Sequence, residues 1–299
     1  MTTASDGRVP LKAIALMIMA MVLVASSDAI GKQLTQTYSI WQVLWLRSWI
    51  WVAVAIIWVM QRGGISHALK TKTPLLQITR SLILVTEIAI FILAFRYLPL
   101  GDVTAILSAA PLVVLAFAVI FLGEKVGIHR WSAVAIGLIG MIMIARPGFG
   151  SFGWLTLLPI IGALLWGSYQ ILVRYLSSQD SEETGLLWTG LTLYIVTGLI
   201  SPFFWQTPLS LLDWGLFFLA GLCNALGHFG LISAMHMAQA SALQPFSYAQ
   251  VVSAFAIGWL AFGEIPDFWT VCGLSAIVAG GLYAMYRERR LAQKKTAGS

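Results

Sequence analysis

The fold is decided by residues 94–146, which read AFRYLPLGDVTAILSAAPLVVLAFAVIFLGEKVGIHRWSAVAIGLIGMIMIAR. Two apolar runs in this stretch are joined by a short Gly-Glu-Lys link at 123–125. A second version follows 140 positions later, where the corresponding link is Gly-Glu-Ile at 263–265. Small residues match in register at this offset, among them Gly140 and Gly280. The chain therefore contains the same pair of apolar runs twice.

The composition is that of an integral membrane protein. Of the 299 residues 59% are hydrophobic and only 10% are charged, and the mean hydropathy is +0.85. Soluble domains have about a quarter of their residues charged. The net charge of +6 does not indicate a nucleic-acid partner, because the basic residues lie singly at the ends of apolar runs. The expected surroundings of the chain are a lipid bilayer.

Ten apolar segments have the length of about 20 residues that a helix needs to cross a bilayer. They are continuous and not alternating, which favours helices over a β-barrel. The first resembles a signal peptide, but nine more apolar runs follow it, so an uncleaved first span is expected. The segments lie near residues 11–31, 40–60, 75–97, 100–121, 129–146, 153–174, 185–204, 213–235, 241–262 and 267–286.

The basic residues are distributed unequally between the two membrane faces. Ten spans place both termini on one face, and thirteen of the 18 Lys and Arg residues lie there, several of them in the tail at 287–299. The positive-inside rule therefore predicts that both termini and this basic tail are cytoplasmic. Arg47 and Arg80 fall inside spans, and we expect them to snorkel to the interface. The alternative for both is recognition of a carboxylate.

The repeat predicts the topology. Each unit has five spans, an odd number, so the second unit enters the membrane from the opposite side. The sequence thus predicts an all-α membrane protein with ten transmembrane helices in two inverted five-helix repeats, 11–146 and 153–286. This is the plan of secondary transporters that work by alternating access. The turns Gly123-Glu124 and Gly263-Glu264 are then equivalent gate positions, the first inside and the second outside.

These residues resemble the drug/metabolite transporter superfamily, of the kind with two tandem EamA-type units. The resemblance rests on the two Gly-Glu turns, each followed by a Gly-containing span, and on Trp166-Gly167-Ser168 in the sixth span. It covers nearly the whole chain. It implies a bacterial inner-membrane exporter of amino acids, including aromatic ones. Small residues spaced for close packing in the fifth and tenth spans offer a surface for a second copy, so a monomer or a homodimer is expected.

Glu87 lies near the middle of the third span, within SLILVTEIAIFILAF. A carboxylate at this depth costs about 2.5 to 3.5 kcal/mol on insertion scales. One interpretation is that Glu87 faces a central cavity, where it contacts a substrate ammonium group or takes up a proton. The other is a buried carboxyl group that serves packing only.

Asn224 and His228 lie one turn apart in the eighth span and share a face. At the repeat offset Glu87 corresponds to Gly227, which puts Glu87 and His228 at similar depth from opposite repeats. A histidine there could couple transport to protons or could be a neutral residue hydrogen-bonded between helices. We expect it near the cavity in either case.

Two prolines and several polar residues mark the fourth and ninth spans. Pro111 lies inside the fourth span and Pro245 in the first turn of the ninth, where each can act as a hinge or as a static kink. At the repeat offset Ser108 corresponds to Tyr248, and Gln244 adds a further polar group. These helices are expected to face a cavity.

Two further polar clusters lie in the first and sixth spans. Trp166 and Tyr169 suit an amphipathic solute, although the same residue types form interfacial belts. Asp28 is expected to pair with Lys32, one turn further along. The predicted cavity has no obvious pair of fixed charges to hold both ends of an amino acid, which favours broad specificity. The candidate substrate-binding residues are Glu87, Ser108, Trp166, Tyr169, Asn224, His228, Gln244 and Tyr248.

Other functional classes fit the sequence less well. The four histidines form no metal-ligand spacing, and no nucleotide-binding loop or nucleophile motif is present, so we expect neither an enzyme nor a cofactor. A channel would need a filter sequence or a ring of like residues. Export of other metabolites or drugs, or a channel-like facilitator, remains the alternative to amino-acid export.

Overall fold

The computed structural model describes residues 9–98, 110–123, 127–145, 157–265 and 271–276. It also describes residues 103, 106, 107, 155, 268, 269, 278–280, 283 and 286. Every regular element within these residues is helical. The helices are α1 (Leu11–Leu34), α2 (Ile40–Gln61), α3 (Ile65–Ala68), α4 (Pro74–Tyr97), α5 (Ala110–Leu122), α6 (Ile128–Ala145), α7 (Leu157–Leu176), α8 (Glu182–Ile200), α9 (Leu211–Met237), α10 (Ala240–Ser247) and α11 (Ala249–Phe262).

Seven helices of the described chain are long and apolar enough to cross a membrane. They are α1, α2, α4, α7, α9, α8 together with the 3-10 turn Ser201–Phe204, and the segment Ala242–Phe262. That last segment is divided, because α10 ends at Ser247 and α11 begins at Ala249. Pro245 lies inside α10, in the first turn of the membrane-spanning segment that begins at Ala242. The full count of ten spans stays a prediction.

Helix packing follows the repeat. The most extensive contact joins α1 to α9, and the corresponding pair after exchange of the two repeats is α7 with α4, which also pack closely. Likewise α1 contacts α11, while α7 contacts α5, and α2 packs on its own counterpart α8. The helices therefore pack between repeats in matched pairs, which is the arrangement that a twofold-related pair of units requires.

A glycine permits the close approach of α1 and α9. A Cβ atom on Gly227 would lie 3.1 Å from the backbone oxygen of Ala20 and 3.0 Å from a methyl carbon of Val24. Small residues at such crossings allow helix backbones to come together within a membrane. The residue that corresponds to Glu87 in the repeat thus serves packing, so only the first repeat has a carboxylate at this position.

The two Gly-Glu turns share their backbone geometry. Gly123 and Gly263 both have left-handed backbones, with φ of +64° and +67°. Gly263 ends α11, where its N–H donates to the Trp259 carbonyl and the N–H of Glu264 donates to the Gly258 carbonyl, each at 3.1 Å. The bond from Gly263 to Trp259 is the 5→1 bond of an αL C-cap motif. Glu124 lies outside the described residues.

We expect the substitution Gly190→Ala to destabilise the packing of α8 on α2. A Cβ atom at position 190 would lie 2.5 Å from Cδ1 of Trp51, a fully buried ring whose Nε1 donates to the Leu186 carbonyl at 3.0 Å. Overpacking of this kind costs about 1–3 kcal/mol. Thermal unfolding in detergent, followed by size-exclusion chromatography, should show a lower midpoint. The control G215A adds a methyl group where no atom lies within 4 Å, and an equal midpoint for both variants would contradict the prediction.

Candidate functional site

A small cavity lies at the centre of the bundle, between helices of both repeats. Three helices each contribute two residues that are one turn apart: Val24 and Asp28 from α1, Glu87 and Phe91 from α4, and Asn224 and His228 from α9. Because residues four apart share a helix face, these three faces converge at one depth. The remaining lining residues are Ile88, Leu107, Trp166 and Gln250.

His228 lies in a buried aromatic environment. Its Nδ1 atom is 3.2 Å from the hydroxyl oxygen of Tyr169 on α7. The imidazole centroid is 4.8 Å from the Trp51 ring and 5.6 Å from the Trp166 ring, while Trp166 stacks on Tyr169 at 5.5 Å. Aromatic residues of α2 and α7 thus hold the imidazole in place, and one face of this cluster borders the cavity.

The other predicted site residues lie elsewhere or are only partly described. Gln244 is buried and donates from Nε2 to Oε1 of Gln170 at 3.1 Å and to the Ala240 carbonyl at 3.3 Å, so its amide is used between helices. Tyr248 packs beside Val251 in a separate cluster, and its hydroxyl points to Gly137 on α6. Neither residue lines the cavity.

The site candidates in the fourth span lie largely outside the residues that the structure describes. Ser108 is outside the described residues, and of Pro111 only the backbone is described, within helix α5. Leu107, which immediately precedes Ser108 in the chain, lines the cavity. This end of the fourth span therefore reaches the cavity.

Asp28 is a cavity residue that sequence reasoning placed in a local ion pair. Lys32 pairs instead with Glu264, at the end of α11, and lies 5.1 Å from the centroid of the Phe262 ring. Asp28 accepts a long hydrogen bond of 3.5 Å from Nε2 of Gln250. The spacing of four residues between Asp28 and Lys32 is compatible with an ion pair on the helix surface. In the structure, however, Lys32 forms its ion pair with Glu264 of the second repeat.

The expectation that Arg47 and Arg80 snorkel to the interface is wrong. Both side chains are buried, with 1% of each residue exposed. Arg80 donates from Nη2 to the Gly185 carbonyl at 2.6 Å and to Oγ1 of Thr189 at 2.5 Å. Both Nη atoms of Arg47 are buried without a hydrogen-bond partner among the described residues. The guanidinium of Arg80 packs on α8 at Gly185 and that of Arg47 on α1 at Gly31. The distance of these residues from the membrane face did not reveal this packing.

Polar contacts between the repeats gather at two ends of the bundle. At the end that holds the 263–264 turn, Lys32 pairs with Glu264, and the Tyr38 hydroxyl donates to Oδ2 of Asp213 at 2.9 Å. At the opposite end, Oδ2 of Asp180 accepts hydrogen bonds from Thr71 at 2.6 Å and from Gln77 at 2.7 Å. Interactions thus link the two repeats above and below the cavity.

The cavity is too small for an organic solute in this conformation. Its volume is about 20 Å³, which corresponds to about one water molecule. A larger occupant requires the surrounding helices to separate. Its lining combines polar side chains with the aromatic rings of Phe91 and Trp166.

A buried polar cavity between two helical repeats of a multi-pass membrane protein defines the class of membrane transporters. The chain belongs to the EamA-like transporter family, which it matches twice, over residues 11–146 and 153–286. The resemblance inferred from the Gly-Glu turns is therefore confirmed. A solved crystal structure has a TM-score of 0.75 and 18% identity over 92% of this chain and 99% of its own, which shows the same fold.

Curated relatives of this chain are transporters of small molecules. The riboflavin transporter of Rhizobium johnstonii is 30% identical over 79% of this chain and 78% of its own length. The S-adenosylmethionine uptake transporter of Rickettsia bellii is 25% identical over 93% and 94%, respectively. The pseudopaline exporter of Pseudomonas aeruginosa is 23% identical over 84% and 88%. The relatives thus include both uptake and export proteins.

Proposed function

We propose that this protein is a secondary transporter that moves small organic molecules by alternating access around the central cavity. The observation on which the proposal rests is the convergence of Glu87 from the first repeat with Asn224 and His228 from the second. Buried ionisable groups within a membrane are expensive and mark substrate or ion pathways. A purely structural membrane protein would not need them at this depth.

Amino acids are the proposed substrates, and export through the bacterial inner membrane is the proposed direction, with both termini cytoplasmic. Support comes from the excess of basic residues on the terminal face and from the likeness to a known exporter. The riboflavin and S-adenosylmethionine transporters among the relatives supply the competing substrates. The mixture of polar and aromatic residues that line the cavity suits a solute that has a ring or other apolar part and a charged part.

A carrier fits the structure better than a channel. The repeats are linked at both ends, by Lys32 with Glu264 and by Asp180 with Thr71 and Gln77. In alternating access one set of end contacts opens while the other stays closed. A channel would open a continuous path with both sets released together.

We expect the purified full-length protein in liposomes to show saturable counterflow. The vesicles would be loaded with unlabelled solute, and uptake of L-tryptophan, L-phenylalanine, S-adenosylmethionine or riboflavin would be measured with tracer outside. A carrier exchanges external for internal solute, so uptake should rise transiently above equilibrium and should saturate. Repeating the assay with a pH gradient would separate proton antiport from uniport.

Protein-free liposomes are the control for leakage. Exchange of no solute in the panel would contradict the proposed function. Uptake that rises linearly with concentration and needs no internal solute would indicate a channel-like facilitator.

A further inference from the structure

We propose that Arg47, together with Asp28 and Glu87, recognises the zwitterionic amino-carboxylate group of the solute. The guanidinium group would bind the carboxylate and the two acidic side chains would bind the ammonium group. This inference rests on the proposed transport function and specifies which chemical group the site selects.

The state of the two buried arginines differs in a way that singles out Arg47. The guanidinium of Arg80 is used, since Nη2 donates to a carbonyl and a hydroxyl of α8. Arg47 is equally buried, yet both its Nη atoms are without a partner among the described residues. A buried charge without hydrogen bonds is costly. A carboxylate offers two oxygens with the spacing that the guanidinium fork matches.

Arg47 reaches the same helix stripe that borders the cavity. Its Nη1 atom would be 3.5 Å from a Cβ atom on Gly31, so the guanidinium lies against α1 at a residue without a side chain. Gly31 is three residues after the cavity residue Asp28, and positions three apart in a helix are neighbours on one face. The charge of Arg47 also interacts with the charges of Asp28 and Glu87. Asp28 and Glu87 thus line the cavity itself, and the guanidinium of Arg47 lies behind this lining, against α1 about one turn beyond Asp28.

The balance of these charges favours a solute with both signs. A simple cation would pair with Asp28 or Glu87 but would leave the guanidinium of Arg47 unsatisfied. A simple anion would satisfy Arg47 but would bring a third negative charge beside the two carboxylates. An amino-carboxylate group supplies an acceptor and a donor a few bonds apart.

The remaining cavity wall suits the rest of such a solute. Phe91 lies one turn from Glu87 on α4, and Trp166 of α7 also lines the cavity. Aromatic faces bind flat or apolar groups without demanding one particular side chain. The charged end therefore selects the shared amino-carboxylate group, while the aromatic wall allows different side chains.

The inference is tested by competition in the counterflow assay, with analogues that remove one charge at a time. L-Tryptophanamide lacks the carboxylate and N-acetyl-L-tryptophan lacks the ammonium group. Both are expected to compete at least about tenfold more weakly than L-tryptophan, because each leaves a buried charged group unpaired. L-Tryptophan and both analogues have the same ring, so hydrophobic binding alone cannot produce the difference.

Variants of Arg47 and Arg80 then show which arginine causes the preference for a solute with a free carboxylate. R47Q is expected to lower the exchange of L-tryptophan about tenfold or more. The acid preference, which is the ratio of the affinities for L-tryptophan and L-tryptophanamide, should fall close to one in this variant. R47K keeps the charge but not the fork and should retain part of the preference. R80Q is the matched control, buried to the same extent, and should lower thermal stability while leaving the wild-type preference in whatever exchange remains.

The outcomes separate this inference from the proposed function. Equal competition by acid and amide in the wild-type protein, or exchange of riboflavin alone, would overturn the amino-carboxylate site and leave a transporter in place. No exchange of any solute would overturn both proposals. An acid preference in R47Q equal to that of the wild type would remove Arg47 from the site. The analogue data on the wild-type protein do not depend on the folding of any variant.

Discussion

Replacing Glu87 with Gln is expected to reduce exchange in proteoliposomes by about tenfold to a hundredfold. The substitution keeps the size of a buried side chain that lines the cavity and removes its negative charge. A hydrogen bond to a charged group contributes about 1.5–3 kcal/mol, and each 1.4 kcal/mol corresponds to a factor of ten. The loss should appear for any solute with an ammonium group, because the amide cannot neutralise that charge.

Two further variants distinguish a binding role from a structural one. E87D keeps the charge on a shorter side chain and should recover part of the exchange. E183Q neutralises a carboxylate at the end of the bundle, where Glu183 lies 3.5 Å from the half-exposed guanidinium of Arg62. One partner of this pair is half exposed and the pair is far from the cavity lining, so exchange by E183Q should stay within about twofold of the wild type. Wild-type rates and affinities in E87Q would place the carboxylate outside the site.

The depth of Glu87 and His228 in the membrane could be inferred from the sequence, because equivalent positions of the two repeats lie at similar depth. The offset that equates Glu87 with Gly227 puts Glu87 and His228 at one level, and both line the cavity. Hydropathy likewise indicated the long spans, since a bilayer requires about 20 apolar residues whatever surrounds them. Both inferences depend on position along a helix and not on its rotation.

The properties that could not be inferred depend on which helices face each other. Arg47 is buried because α2 packs between α8 and α9, and a single sequence does not show that packing. Lys32 has an acid four residues before it, but its partner Glu264 is 232 positions away. Tyr248 was expected at the cavity, but the helix break at this residue turns its ring toward α6. Rotation and partner choice are tertiary properties, so local spacing predicted them poorly.

Neutralising Glu264 is expected to release one end of the transporter. The ion pair of Lys32 with Glu264 joins α1 of the first repeat to the end of α11 in the second, and its side chains are only 12% and 28% exposed. A loss of about 1.4 kcal/mol from the closed state would raise the population of the open state about tenfold while that state is rare. E264Q should therefore expose the cavity more often on the face predicted to be external.

A cysteine at a cavity position reports this opening. In a background in which Cys223 and Cys272 are replaced by alanine, N224C would be modified by a membrane-impermeant thiol reagent added outside intact cells. E264Q should raise the modification rate about tenfold, and the exchanged pair K32E/E264K should lower it again. The recovery should be incomplete, because the carboxylate at position 32 would lose the interaction of the lysine with the Phe262 ring. Unchanged labelling in E264Q would show that this ion pair does not close the transporter, and faster labelling only from the cytoplasmic side would reverse the predicted orientation of the chain.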